Sequence, residues 1–179
     1  MSDAEYPQTE QLIALFNQTF KPLNTVLVRG QVEPIYYPAC AEKPAQIVFA
    51  HGYFASALHE IAHWCLAGED RRKLEDYGYW YCPDGRSAEQ QAEFEKVEIK
   101  PQAIEWALTV AAGRCFKVST DNLNGVEPNR IDFQTKVHAQ VCRYLAVGFP
   151  ARAHQFIGVL QQHYQLPALR LTDFDWRDS

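Results

Sequence analysis

The chain carries His59-Glu60-Ile61-Ala62-His63, two imidazoles four residues apart with a carboxylate between them. On a helix that spacing puts both imidazoles on one face, a turn apart, where one transition-metal ion can bridge them. Two imidazoles do not complete a site, so a carboxylate must come from elsewhere. Glu93, Glu95, Glu98 and Glu105 are the candidates. Glu98 is favoured over Glu105 because it lies just ahead of Pro101, at an expected helix start from which its carboxylate can point towards a neighbouring helix. Glu93 and Glu95 read as solvated surface groups. Glu60 would lie beside a metal-bound water, either as the general base used by metallopeptidases or as support for the ligands, and spacing alone leaves both roles open.

These side chains need elements to hold them. Leu58, Ile61, Ala62 and Leu66 supply apolar positions that let a helix from about Ser56 to Ala67 be buried, with Gly68 as its stop. Ahead of it, Leu12, Ile13, Leu15, Phe16 and Phe20 recur at near-helical spacing in a first helix ended by Pro22. Thr25–Val28, Ile35–Tyr37 and Ile47–Ala50 are short β-prone runs. Glu69 to Gln91 reads as a long ordered loop around Pro83-Asp84-Gly85. A helix is expected from Pro101 towards Gly113, and two more over Asp132–Val147 and Ala151–Tyr164. The expected fold is α+β: a small mixed sheet packed against several helices, with the His59 to His63 helix lining a cleft, in one domain spanning residues 1–179.

Composition narrows the function classes. The 179 residues are 47% apolar and 22% charged, as in an ordinary globular protein. Apolar runs such as Ile47-Val48-Phe49-Ala50 are far shorter than the roughly 20 residues a membrane helix needs, so no membrane association is expected. The start, Met1-Ser2-Asp3-Ala4-Glu5, is acidic and lacks the basic and apolar regions of a secretory signal. Five scattered cysteines without a C-x-x-C pair suggest reduced thiols in a cytoplasmic protein and argue against a thiolate zinc cluster. A net charge of -5 with no basic stripe opposes direct binding to nucleic acid.

A wider set of residues adds to the motif. His59-Glu60-Ile61-Ala62-His63-Trp64, then Asp76-Tyr77-Gly78-Tyr79-Trp80-Tyr81 with Pro83-Asp84-Gly85-Arg86, then Val97-Glu98-Ile99-Lys100-Pro101-Gln102-Ala103-Ile104-Glu105-Trp106 closely resemble the elongation factor P hydroxylase family over nearly the whole chain. The resemblance implies hydroxylation of the modified lysine of elongation factor P after a β-lysyl group has been attached to it. It also implies a zincin-like site of two histidines and one carboxylate, with His59 and His63 as ligands, Glu98 as the third and Glu60 alongside.

That ligand set suits iron(II), or another divalent transition metal, with dioxygen as co-substrate, because hydroxylating an unactivated carbon needs a redox step that zinc lacks. No residue pattern points by itself to a 2-oxoglutarate site, although Arg71, Arg72, Arg86 and Arg114 are each able to bind a carboxylate. Asp76, Tyr79 and Trp80 are candidates for substrate binding, with aromatic faces for the ammonium groups of a lysyl chain and a carboxylate to pair with them. Two other readings compete. A zinc metallopeptidase with Glu60 as general base is what the motif alone would favour. A structural metal in a binding module is disfavoured, since such zinc sites are usually closed by four protein ligands.

Overall fold

The computed structural model describes residues 5–75, 85–120 and 129–175. They fall into two compact units, the first ending at Gly78 and the second beginning at Tyr79. Among the described residues the architecture is α+β, with five α-helices and one small mixed sheet.

The first unit contains helix α1 (Glu5–Thr19), strands β1 (Thr25–Arg29), β2 (Ile35–Tyr37) and β3 (Ala45–Phe49), and helix α2 (Phe54–Leu66). The strand order is β1-β3-β2: β3 runs parallel to β1, with Leu27 opposite Ile47, and antiparallel to β2, with Tyr36 opposite Ile47. Along β3 the residues alternate, with Ala45, Ile47 and Phe49 buried and Gln46 and Val48 half-buried, as a strand with one covered face requires. Helix α1 packs on β1 and α2 on β3, and the two helices touch each other. Asn17 of α1 also grips the backbone of β1, its Oδ1 accepting from Leu27 N at 2.7 Å.

Helix α2 is helical because its apolar residues keep a helical period. Phe54, Ala57, Leu58, Ile61, Ala62 and Cys65 are all buried and form one continuous stripe. At about 100° per residue, His59 and His63 fall on the opposite side of the helix from the middle of that stripe. The helix also carries Trp64, whose ring lies 5.3 Å from Phe16 and 4.8 Å from Phe20, both of them fully buried. These edge-on aromatic contacts add to simple burial and fix the rotation of α2 about its axis. The expected element positions hold here to within a few residues.

The second unit is built on α3 (Ala88–Ala111), α4 (Arg130–Val147) and α5 (Ala151–Tyr164). Two expectations are corrected in it. The helix expected to begin at Pro101 begins at Ala88 and runs straight through the proline. The expected loop over Glu69–Gln91 therefore ends earlier, and it includes a short 3-10 turn at Arg71–Lys73; residues 76–84 lie outside the described residues. The start of α3 is set by a capping box, in which Ser87 Oγ accepts from Gln90 N and Gln90 Oε1 accepts from Ser87 N. A mid-helix proline lacks the N–H that Val97 C=O would otherwise receive, a cost that burial of the surrounding residues offsets. From Pro101 to Thr109 every residue is buried, so this half of α3 is the core of the unit, with α4 and α5 packed on it. Trp106 at its centre stacks on Phe116 at 5.0 Å and meets Phe174 edge-on at 5.6 Å.

If the Phe16, Phe20 and Trp64 cluster fixes α2, Phe16→Ala will lower the unfolding free energy by about 3–5 kcal/mol, measured by urea denaturation. A loss below about 1 kcal/mol would mean that the ring is not packed as described.

Candidate metal centre

His59 and His63 lie one turn apart on α2, both half-buried, and their Nε2 atoms are 3.0 Å from each other. Their rings meet nearly edge-on, at 4.6 Å between centroids. Two protonated nitrogens cannot share that spacing, so at least one Nε2 must present a lone pair. Both nitrogens can lie within ordinary metal–nitrogen bonding distance, about 2.1 Å, of one common point. The spacing is therefore compatible with two ligands to one ion, and the donor chemistry fits a divalent transition metal.

Glu98 occupies the middle of α3 and is 1% exposed. It was expected just outside a helix start, yet it is a buried side chain on a continuous helix, with the Gln102 amide donating to its Oε2 at 3.3 Å. A carboxylate this deeply buried is costly unless it is paired with a cation or hydrogen-bonded. His59 and His63 offer imidazole nitrogens and Glu98 a carboxylate, donor types that could hold one metal ion.

The other acidic candidates separate by environment. Glu105 is also buried on α3. Glu93 is exposed and pairs with Lys96, while Glu95 accepts from Gln91 Nε2 at 3.3 Å. Glu60 is half-buried on α2, on the column of Trp64 rather than that of the histidines. Asp76, Tyr79 and Trp80, the expected substrate contacts, lie outside the described residues.

Arg86, one of the arginines able to bind a carboxylate, is buried. It is among the largest fully buried side chains, its Nε donating to Gln91 and its Nη2 to Thr120 O, both at 2.9 Å, with the guanidinium 3.8 Å above the Phe94 ring. Sequence reasoning also passed over Gln91 and Gln102, both buried on α3. Ser87-Ala88-Glu89-Gln90, a capping-box pattern, would have placed both on a helix that starts 13 residues before the proline, but it carries no signal of their burial.

With this geometry in view, comparison with known proteins decides the family. The model of a family described as elongation factor P hydroxylase matches residues 15–174. The chain belongs to that family. A relative from Haemophilus influenzae named elongation factor P lysine hydroxylase is 52% identical over 169 residues, covering 93% of this chain and 95% of the relative. The hydroxylase family's chemistry is enzymatic, and among the described residues no helix is long and apolar enough to cross a membrane.

A bound ion stabilises the fold it binds, by about 2.7 kcal/mol when free metal exceeds its dissociation constant a hundredfold. Cobalt(II) is accordingly expected to raise the melting temperature of the parent protein, and His59→Ala or His63→Ala to abolish the rise while leaving the metal-free melting temperature near the parent's. An equal rise in the two variants would exclude this pair as ligands.

Proposed function

We propose that this protein hydroxylates the β-lysylated lysine of elongation factor P at a non-haem iron(II) centre held by His59, His63 and Glu98, with dioxygen as co-substrate. The observation that carries this reading is the 52% identity, over nearly the full length of both chains, to a protein named elongation factor P lysine hydroxylase. The donor set supports it: two imidazoles and one carboxylate leave positions open on an iron ion, which supplies the redox step that zinc lacks. Overall, one C–H bond of the lysyl chain becomes C–OH. The second oxygen atom leaves as water, with two protons and two electrons from an external reductant.

The chain's own residues divide that work. His59 and His63 would hold the ion through their Nε2 atoms, 3.0 Å apart on α2, a helix kept in place by the burial of its opposite face. Glu60, one residue from His59, is the group to accept or return a proton beside the site, or to orient its ligands. Asp76, Tyr79 and Trp80 receive the substrate: aromatic faces attract the ammonium groups of a β-lysyl-lysine, and the Asp76 carboxylate pairs with one of them. The whole chain acts as a single hydroxylase domain. It meets its protein substrate in the cytoplasm, without a membrane or direct contact with nucleic acid, in keeping with a net charge of -5.

The direct test is the intact mass of β-lysylated elongation factor P after aerobic incubation with this protein, iron(II) and a reductant. A gain of one oxygen that requires His59 is expected. An unchanged mass would overturn the reading, and cleavage of the partner with zinc bound would replace it by the metallopeptidase. In the same assay, replacing Asp76 and Trp80 together by Ala should raise KM for the modified factor about 10-fold or more, as losing a desolvated cation–π contact and its carboxylate partner implies. Unchanged kinetics would remove these residues from the substrate site.

A further inference from the structure

Glu98 is not held by Gln102 alone, because Gln102 is itself held. Gln102 is fully buried, and its Oε1 accepts from Ser119 N at 3.0 Å while its Nε2 donates to Ser119 O at 2.7 Å. The backbone of Ser119 thus settles which end of the amide is which. A flipped amide would set NH2 against an N–H and oxygen against both a carbonyl and a carboxylate. With the orientation set, the remaining Nε2 hydrogen is directed at Glu98 Oε2, 3.3 Å away and four residues back on the same helix. The segment that supplies this clamp is itself pinned, with Arg130 Nη2 donating to Val118 O at 2.8 Å and Arg86 and Gln91 both donating to Thr120 O.

We propose that Gln102 is a positioning residue that orients the Glu98 carboxylate for metal binding, with the backbone of Ser119 as its anchor. The proposal rests on Glu98 being the third ligand. A carboxylate has about four lone-pair positions, so an amide donor on Oε2 does not compete with ligation. It favours the ionised form and stops rotation of the carboxyl group, the part that outer hydrogen bonds usually play around metal ligands. A merely structural amide would need only its two bonds to Ser119. The third bond, to a carboxylate in the candidate ligand group, is what points to the site.

Anaerobic titration with cobalt(II), read by its visible absorption, tests the idea in four proteins: parent, Gln102→Met, Glu98→Ala and the double variant. Gln102→Met is expected to weaken cobalt binding roughly 10- to 100-fold, the usual cost of losing a partner of a metal ligand. In the Glu98→Ala background it should cause no further loss, since the two residues act through one contact. Unaltered affinity in Gln102→Met, or the same loss in both backgrounds, overturns the proposal. If Glu98→Ala binds cobalt as tightly as the parent, it is the ligand assignment that has failed. Should Gln102→Met not fold, zinc(II) titration of the 15N-labelled parent decides: the Gln102 side-chain amide signals shift if the amide donates to a ligating carboxylate, and unmoved signals overturn the proposal.

Discussion

Two imidazole nitrogens 3.0 Å apart impose a condition on everything around them. They can share a proton or an ion but cannot both be protonated there, and half-buried rings have lost part of the water that would otherwise relieve them. Such a pair persists only on a helix that cannot turn. Six buried apolar residues of α2 and the Trp64 ring packed on Phe16 and Phe20 provide that. Burying side chains of this kind is worth roughly 1.5–3 kcal/mol each for the larger ones, so rotating the stripe towards solvent would cost many times the thermal energy. The sheet, α1 and α2 form the mount for the two imidazoles.

The second unit solves a different problem, that of keeping polar groups inside. Gln91, Glu98, Gln102 and Glu105 are all buried along α3. Buried polar groups need partners, and here amide side chains bond backbone, so that Gln102 clamps Ser119 and Gln91 and Arg86 share Thr120 O. The first unit uses the same device where Asn17 grips Leu27. In the second unit the device ends at a carboxylate with the chemistry of a metal ligand.

The histidine motif is compatible with hydrolytic and with oxidative metal chemistry, because a helix that presents two imidazoles says nothing about which ion sits there. What favours oxidation is likeness over the rest of the chain, including residues with no part in ligation. A peptidase and a hydroxylase differ in how the substrate is brought to the ion and whether electrons can be supplied. Both depend on surfaces away from the motif.

The sequence by itself determined the histidine pair, the helix that carries it and the small mixed sheet. In each of these the buried face is apolar and repeats with the period of its element, as Phe54, Ala57, Leu58, Ile61 and Cys65 do on α2. It also offered Glu98 as a candidate ligand, at a position that the structure corrects: the carboxylate does not project from a helix start but is buried in mid-helix. The true extent of α3 was hidden because two of the three buried residues in its first half are Gln91 and Glu98, where a periodic reading looks for leucine, and because Pro101 imitates a helix beginning. Only the tertiary structure decided that these polar groups are inside, since a buried glutamine and a surface glutamine are the same letter. The difference lies in whether a backbone such as that of Ser119, 17 residues away, comes to meet it.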